Sequence, residues 1–270
     1  MRPAAVIILA AGKGTRMKSP LPKVLHPLAG KSLLERAIIA AQALDPRVLG
    51  VVVRHERDMV VEHLSQVAPN AIPLDQDEIP GTGRALACAL EQLQDKDYNL
   101  DGPVVVTSGD VPLLSGKTLQ NFVAAHEAAN ATVSVAGARL ADPTGYGRLV
   151  EEDGKLVAIV EHADATEEQR QIDLINAGIY VFDGRFALEA LQKLGSDNAQ
   201  GEVYLTDLVG IATESGLPAQ SYLIADTWEV TGCNDPQQLA ELEAEYYRRH
   251  PQEQDSVNAI DAGMPVKENK

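Results

Sequence analysis

Residues 4–18 read AAVIILAAGKGTRMK, an apolar run that breaks abruptly into Gly12-Lys13-Gly14 and a basic turn. Ala4 to Leu9 has no polar alternation, which predicts a strand buried on both faces, as in the middle of a parallel sheet. Working outward, short apolar runs at 48–53, 71–74 and 103–107 alternate with helix-period segments at 32–44, 57–67, 82–93 and 117–129. That alternation is the pattern of βα units and an α/β fold with a largely parallel sheet. From about Ala131 the rhythm turns extended: 132–136, then 147–150 and 156–161 flanking Asp153-Gly154, a hairpin signal, then the strand INAGIYVF at 175–182. Residues 186–194 and 205–214 are helical by period. Pro236 to His250 reads as a last helix with Pro in its first turn and bases at its end, stopped by Pro251.

The chain has 270 residues, 45% apolar, and a formal net charge of −16. Such an acidic balance argues against nucleic-acid and anionic-membrane partners, because polyanions attract net positive faces. Residues 1–36 are the exception, with seven bases and only Glu35 as an acid, a local +6. Cys88 and Cys233 are the only cysteines, so no disulfide framework or zinc site is indicated and a cytoplasmic location is expected. No apolar run reaches the roughly twenty residues of a spanning helix.

Candidate chemistry gathers at the predicted C-terminal ends of strands, where open α/β sheets bind ligands. Gly12 and Gly14 allow close backbone approach to an anion, and Lys13, Arg16 and Lys23 supply charge; Pro20 and Pro22 stiffen the arm that carries Lys23. The loop fails the Rossmann fingerprint, since Met17 stands where its third Gly belongs, and Gly30-Lys31-Ser32 lacks the first Gly of a P-loop. Asp110, just after the 103–107 run, suits Mg²⁺ or a turn. Gln76 with Gly81-Thr82-Gly83 suits a base edge or a plain helix entry. Glu161, Asn176 and Asn234 are open to a binding role or a turn or cap role. The six histidines form no triad pattern, and no G-x-S-x-G occurs.

Taken together, LAAGKGTRMKS at 9–19 and PKVLHPLAGKSLLERAI at 22–38 resemble the signature of sugar-phosphate nucleotidyltransferases. The likeness is greatest to the uridyltransferase (pyrophosphorylase) domains that relatives join to a glucosamine-1-phosphate acetyltransferase. It continues through GDVPLL at 109–114, GYGRLV at 145–150, INAGIYVFD at 175–183, NAQGEVYLTD at 198–207 and EVTGCND at 229–235. The resemblance implies a Rossmann-like three-layer α/β/α domain with a mixed, mostly parallel central sheet and an inserted β-hairpin region. It would span 1–236, with a nucleotide-binding part to about 115 and a sugar-binding part from 116, before a C-terminal helix at 237–250 and a flexible tail at 251–270. The left-handed β-helix of the acetyltransferase is not expected.

The same resemblance implies roles. Leu9, Ala10, Ala11, Gly12, Lys13, Gly14 and Thr15 would wrap the triphosphate of UTP, and Gln76, Gly81 and Thr82 would read uracil. Arg16 and Lys23 would be the catalytic cations, and Asp110 and Asn234 would hold Mg²⁺. Gly147, Glu161, Asn176, Tyr204 and Thr206 would bind N-acetylglucosamine-1-phosphate. A monomer or weak homo-oligomer is expected. Ile79-Pro80 stands where close relatives usually have Gln-Leu, Arg84 where they have His, and Ser108 where they have Tyr. Another sugar phosphate or nucleotide, or a silent nucleotide-sugar sensor, remains open at this point.

Overall fold

The computed structural model describes residues 2–254. In chain order β1 (Ala5–Leu9) is followed by the short hairpin β2 (Pro27–Leu28) and β3 (Lys31–Ser32), then α1 (Leu33–Gln42), β4 (Leu49–Val53) and α2 (Arg57–Val67). Next come β5 (Ile72–Asp75), α3 (Thr82–Asp95), β6 (Pro103–Ser108), α4 (Gly116–Ala128) and β7 (Val133–Arg139). The second half holds β8 (Arg148–Glu152), β9 (Lys155–Val160), α5 (Glu167–Arg170), β10 (Leu174–Asp183) and α6 (Gly184–Leu191). It closes with α7 (Asp207–Glu214), β11 (Ala219–Leu223) and α8 (Pro236–Arg249).

Seven strands lie in the order β11-β7-β10-β6-β1-β4-β5, with β8 and β9 joined to β10. Strand β1 pairs in parallel with both β4 and β6. Strand β10 runs antiparallel between β6 and β7, which makes the sheet mixed, while β11 returns parallel to β7. Successive residues of β1 serve opposite faces, as the strand period of two requires. Ile7 packs with Leu86, Leu90 and Leu208 of α3 and α7, whereas Val6 and Ile8 pack with Ile38, Leu64 and Phe122 of α1, α2 and α4. The apolar run is therefore continuous because both faces are covered, and the result is the expected three-layer α/β/α arrangement.

Local signals set the ends of elements. The Ser32 hydroxyl caps α1 by accepting the Glu35 N–H, Ser115 caps α4, and Asp235 caps α8 ahead of Pro236. Asp153 and Gly154 both take positive φ in the turn joining β8 to β9, as the Asp-Gly pair favours. Helix α8 ends at Arg249, before Pro251. The expected tail is corrected at its start: residues 251–254 form another helical turn, with the Tyr246 hydroxyl donating to Glu253 at 2.7 Å. The rest of that expectation, 255–270, lies outside the described residues. Among the described residues no helix is long and apolar enough to cross a membrane.

Candidate active site

The Gly12–Gly14 loop leaves β1 at the sheet's C-terminal edge, where the Leu9 carbonyl accepts from Gly109 and the Ala10 N–H donates to Val52. Gly14 has φ +62°, and a Cβ there would lie 2.5 Å from the Cβ of Lys23. The glycine thus lets the loop fold back onto the Lys23 arm. Residues 15–17 then form a 3₁₀ turn that buries Met17 and leaves Arg16 exposed. Pro22, at φ −50° and ψ 139°, feeds a second such turn that begins with Lys23.

Four segments meet at these cations. The Lys23 ammonium forms an ion pair with Asp110 and donates to Asn234 Oδ1 at 3.3 Å. Arg16 Nη2 donates to the same Oδ1 at 2.9 Å. Ser108 Oγ donates to Asp110 Oδ1 at 2.5 Å. The Cys233 N–H donates to the Asp110 carbonyl at 2.8 Å, and Gln238 Oε1 accepts the Asn234 N–H at 2.8 Å. Asp110 and Asn234 therefore present oxygens to one shared cation, the Lys23 ammonium. Such a pair of hard oxygen donors fits Mg²⁺, which takes one or two protein ligands and fills the rest with water and substrate phosphate.

Beside this network lies a cleft of about 420 Å³ lined by Leu9, Ala10, Ala11, Gly12, Lys23, Gln76, Gly81, Thr82 and Asp110, among others. Lys13, Gly14, Thr15 and Arg16 continue the loop outside that lining. Gly81, at φ +122°, lies so near the backbone of Val203 that a Cβ would fall 2.2 Å from its carbonyl oxygen. Val203 also donates to Pro80 and accepts from Gly83, while Thr82 Oγ1 accepts from Leu205 at 3.2 Å, so the 203–206 segment is sewn to the cleft wall.

The residues expected to hold sugar form a second group. The Gly147 carbonyl accepts from the Asn176 N–H at 2.9 Å, and the Glu161 carboxylate lies against the Gly147 backbone. Asn176 Nδ2 donates to the Tyr180 hydroxyl at 2.7 Å, and Tyr180 lines the cleft; the bulge in β10 between these residues joins the two groups. Thr206 is buried next to Glu161. The Tyr204 hydroxyl donates to Asp164 at 3.4 Å, and burial pushes this phenol up to about 12. Burial also raises the Glu161 carboxyl above the usual carboxylate range.

The cleft also contains Arg54, His55, Gly178 and Glu202, which sequence reasoning passed over. Arg54 and His55 directly follow β4, so the strand-end rule that singled out the other residues would have found them. Burial, with Arg54 and Lys13 nearby, holds the His55 pKa below its ordinary value.

Residues 6–198 match the profile of the MobA-like NTP transferase domain. The chain belongs to this family of nucleotidyltransferases. The transferase is 53% identical over 248 residues to bifunctional protein GlmU of Pseudarthrobacter chlorophenolicus, covering 92% of this chain and 50% of that protein. It is 51% identical over 241 residues to bifunctional protein GlmU of Thermobifida fusca, covering 89% and 50%. The transferase thus spans about half the length of these curated relatives. Among solved structures, a UDP-glucose pyrophosphorylase complexed with UDP-glucose superimposes with a TM-score of 0.69 at 18% identity, covering 92% of this chain and 100% of that one. A nucleoside-diphosphate-sugar pyrophosphorylase from Vibrio cholerae RC9 gives 0.69 at 20% identity, covering 89% and 99%. At those identities the likeness establishes a shared fold.

Proposed function

We propose that this nucleotidyltransferase moves the uridylyl group of UTP onto N-acetylglucosamine-1-phosphate, giving UDP-N-acetylglucosamine and pyrophosphate. The observation that carries the reading is the convergence of Arg16, Lys23, Asp110 and Asn234 beside a glycine-lined cleft. The identity to proteins named GlmU and the structural likeness to sugar-nucleotide pyrophosphorylases support it.

In this reading a phosphate oxygen of the sugar phosphate bonds to the α-phosphorus of UTP, and the bond from that phosphorus to the bridging oxygen breaks. Pyrophosphate carries the electron pair away. The attacking group is a phosphate monoester with a second pKa of about 6, so it is already ionised at pH 7 and needs no general base. The obstacle is assembling several anions in one place. Leu9 to Thr15 would wrap the triphosphate, with Lys13 and the backbone N–H groups that follow Ala10 as its donors, while Lys23 and Arg16 neutralise charge that grows around the α-phosphorus. Asp110 and Asn234 would hold Mg²⁺, which when bound neutralises and orients phosphate oxygens. Gly147, Glu161, Asn176, Tyr204 and Thr206 would orient the sugar, and Gln76, Gly81 and Thr82 would read the base. The two cysteines are free and buried, in keeping with a reducing, cytoplasmic setting.

Pyrophosphate release measured with Mg²⁺, UTP and N-acetylglucosamine-1-phosphate tests the reading, with the Asp110→Ala variant as control. Release well above the control is expected. Release no greater than the control sinks the proposal, and a panel of other nucleotides and sugar phosphates defines the preference.

A further inference from the structure

Gln76 follows β5 and lines the cleft, and its side-chain amide is already committed on one side. Its Nε2 donates to the carbonyls of Ile79 at 3.0 Å and Gly81 at 3.2 Å. A primary amide has two N–H donors and one carbonyl, so the group left for a ligand is the acceptor Oε1. Turning the amide over would set Oε1 against two carbonyl oxygens. Gly81 and Thr82, which also line the cleft, are the N-cap and first residue of α3, whose first N–H groups have no partner within the helix. An acceptor beside a donor complements the edge of uracil, where a ring N–H adjoins a carbonyl. Cytosine instead has an unprotonated ring nitrogen there, which would face Oε1 acceptor to acceptor.

This arrangement lasts only while the Ile79 and Gly81 carbonyls hold their places. Asp77 secures them: its Oδ1 accepts the Ile79 N–H at 3.0 Å, and its Oδ2 takes Arg84 Nε at 2.8 Å and Nη2 at 2.6 Å. Arg84 belongs to the first turn of α3, so one carboxylate ties the 77–79 turn to the helix that begins at Thr82. Arg84 is absent from the cleft lining and acts at one remove.

We infer that Arg84 is a positioning residue for nucleobase selection: its ion pair with Asp77 holds the loop in which Gln76 presents an acceptor to the base. The inference rests on the proposed uridylyl transfer and deepens it.

Steady-state kinetics with UTP and CTP on the wild type, Arg84→Ala and Arg84→Lys test it. The pair is partly exposed, so Arg84→Ala is expected to raise KM for UTP by about three- to fivefold and to lower the UTP-over-CTP preference by a similar factor. The KM for the sugar phosphate and the thermal midpoint should stay at wild-type values, and Arg84→Lys should recover part of the loss. An Arg84→Ala enzyme with wild-type KM for UTP and wild-type preference overturns the inference, as does an equal rise in both substrates' KM values. A wild type that does not use UTP overturns the proposed function and this inference together. A wild type that prefers UTP beside an unaltered Arg84→Ala overturns this inference alone.

Discussion

Arg16 and Lys23 differ in what surrounds them. Lys23 is largely enclosed and tied to Asp110, whereas Arg16 is exposed and donates to Asn234. In the proposed reaction, replacing Arg16 therefore removes a charge with little consequence for folding. Arg16→Ala is expected to lower kcat by about 10²–10³, the usual effect of deleting one electrostatic group, while the thermal midpoint holds. Kinetics paired with a melting curve checks this, and an unaltered kcat would remove Arg16 from the mechanism. These residues were legible as a basic, glycine-rich loop because charge and backbone freedom are properties of residue type. Tyr180 and Glu202 were not legible, because a tyrosine in a β-strand and a lone acid in a loop carry no local sign of a shared cleft.

Helix α8 shows what an element adds. Its first turn fixes Asn234 through Gln238, and its last turn holds Glu245 between Arg248 and Arg249, with Arg249 also bound to Asp226. The arginines hold the Glu245 carboxyl down at about 2, against an ordinary 4.5. A lowered carboxylate pKa favours the fold at any pH above the unfolded value, and that contribution fades as pH falls through the folded one. Glu245→Gln is therefore expected to be less stable than wild type at neutral pH, with the gap closing between about 4.5 and about 2. Urea unfolding across that range measures it; a gap that does not change with pH contradicts the ion-pair account. The period of α8 and its Pro236 start were readable in advance, but β11, the β2–β3 hairpin and α5 were not. Strand β11 reads AQSYL and is half-buried at the sheet edge, so it lacks the continuous apolar run that marked β1 and β6.

Across the whole molecule, two large cores cover the faces of the sheet, and a third, small cluster sits under the cations. Met17, Leu28, Leu33, Cys233 and Leu242 bring the first loop, the β2–β3 hairpin, α1 and α8 into one contact. Leu242 is fully buried there, so Leu242→Ala is expected to cost about 2–5 kcal/mol and to lower activity by loosening Cys233 and Asn234. Denaturant titration with parallel assay checks both, and an activity loss without a stability loss would point away from packing. The α/β class, the central strand, the hairpin turn and the cationic loop all followed from the amino-acid order, because strand burial, turn preference and charge are local or periodic properties. The antiparallel insertion of β10 between β6 and β7 did not follow, nor did the meeting of Arg16 with Asn234 across 218 positions. Those depend on which strands become neighbours and which loops share a sheet edge, and only packing of the complete chain decides that.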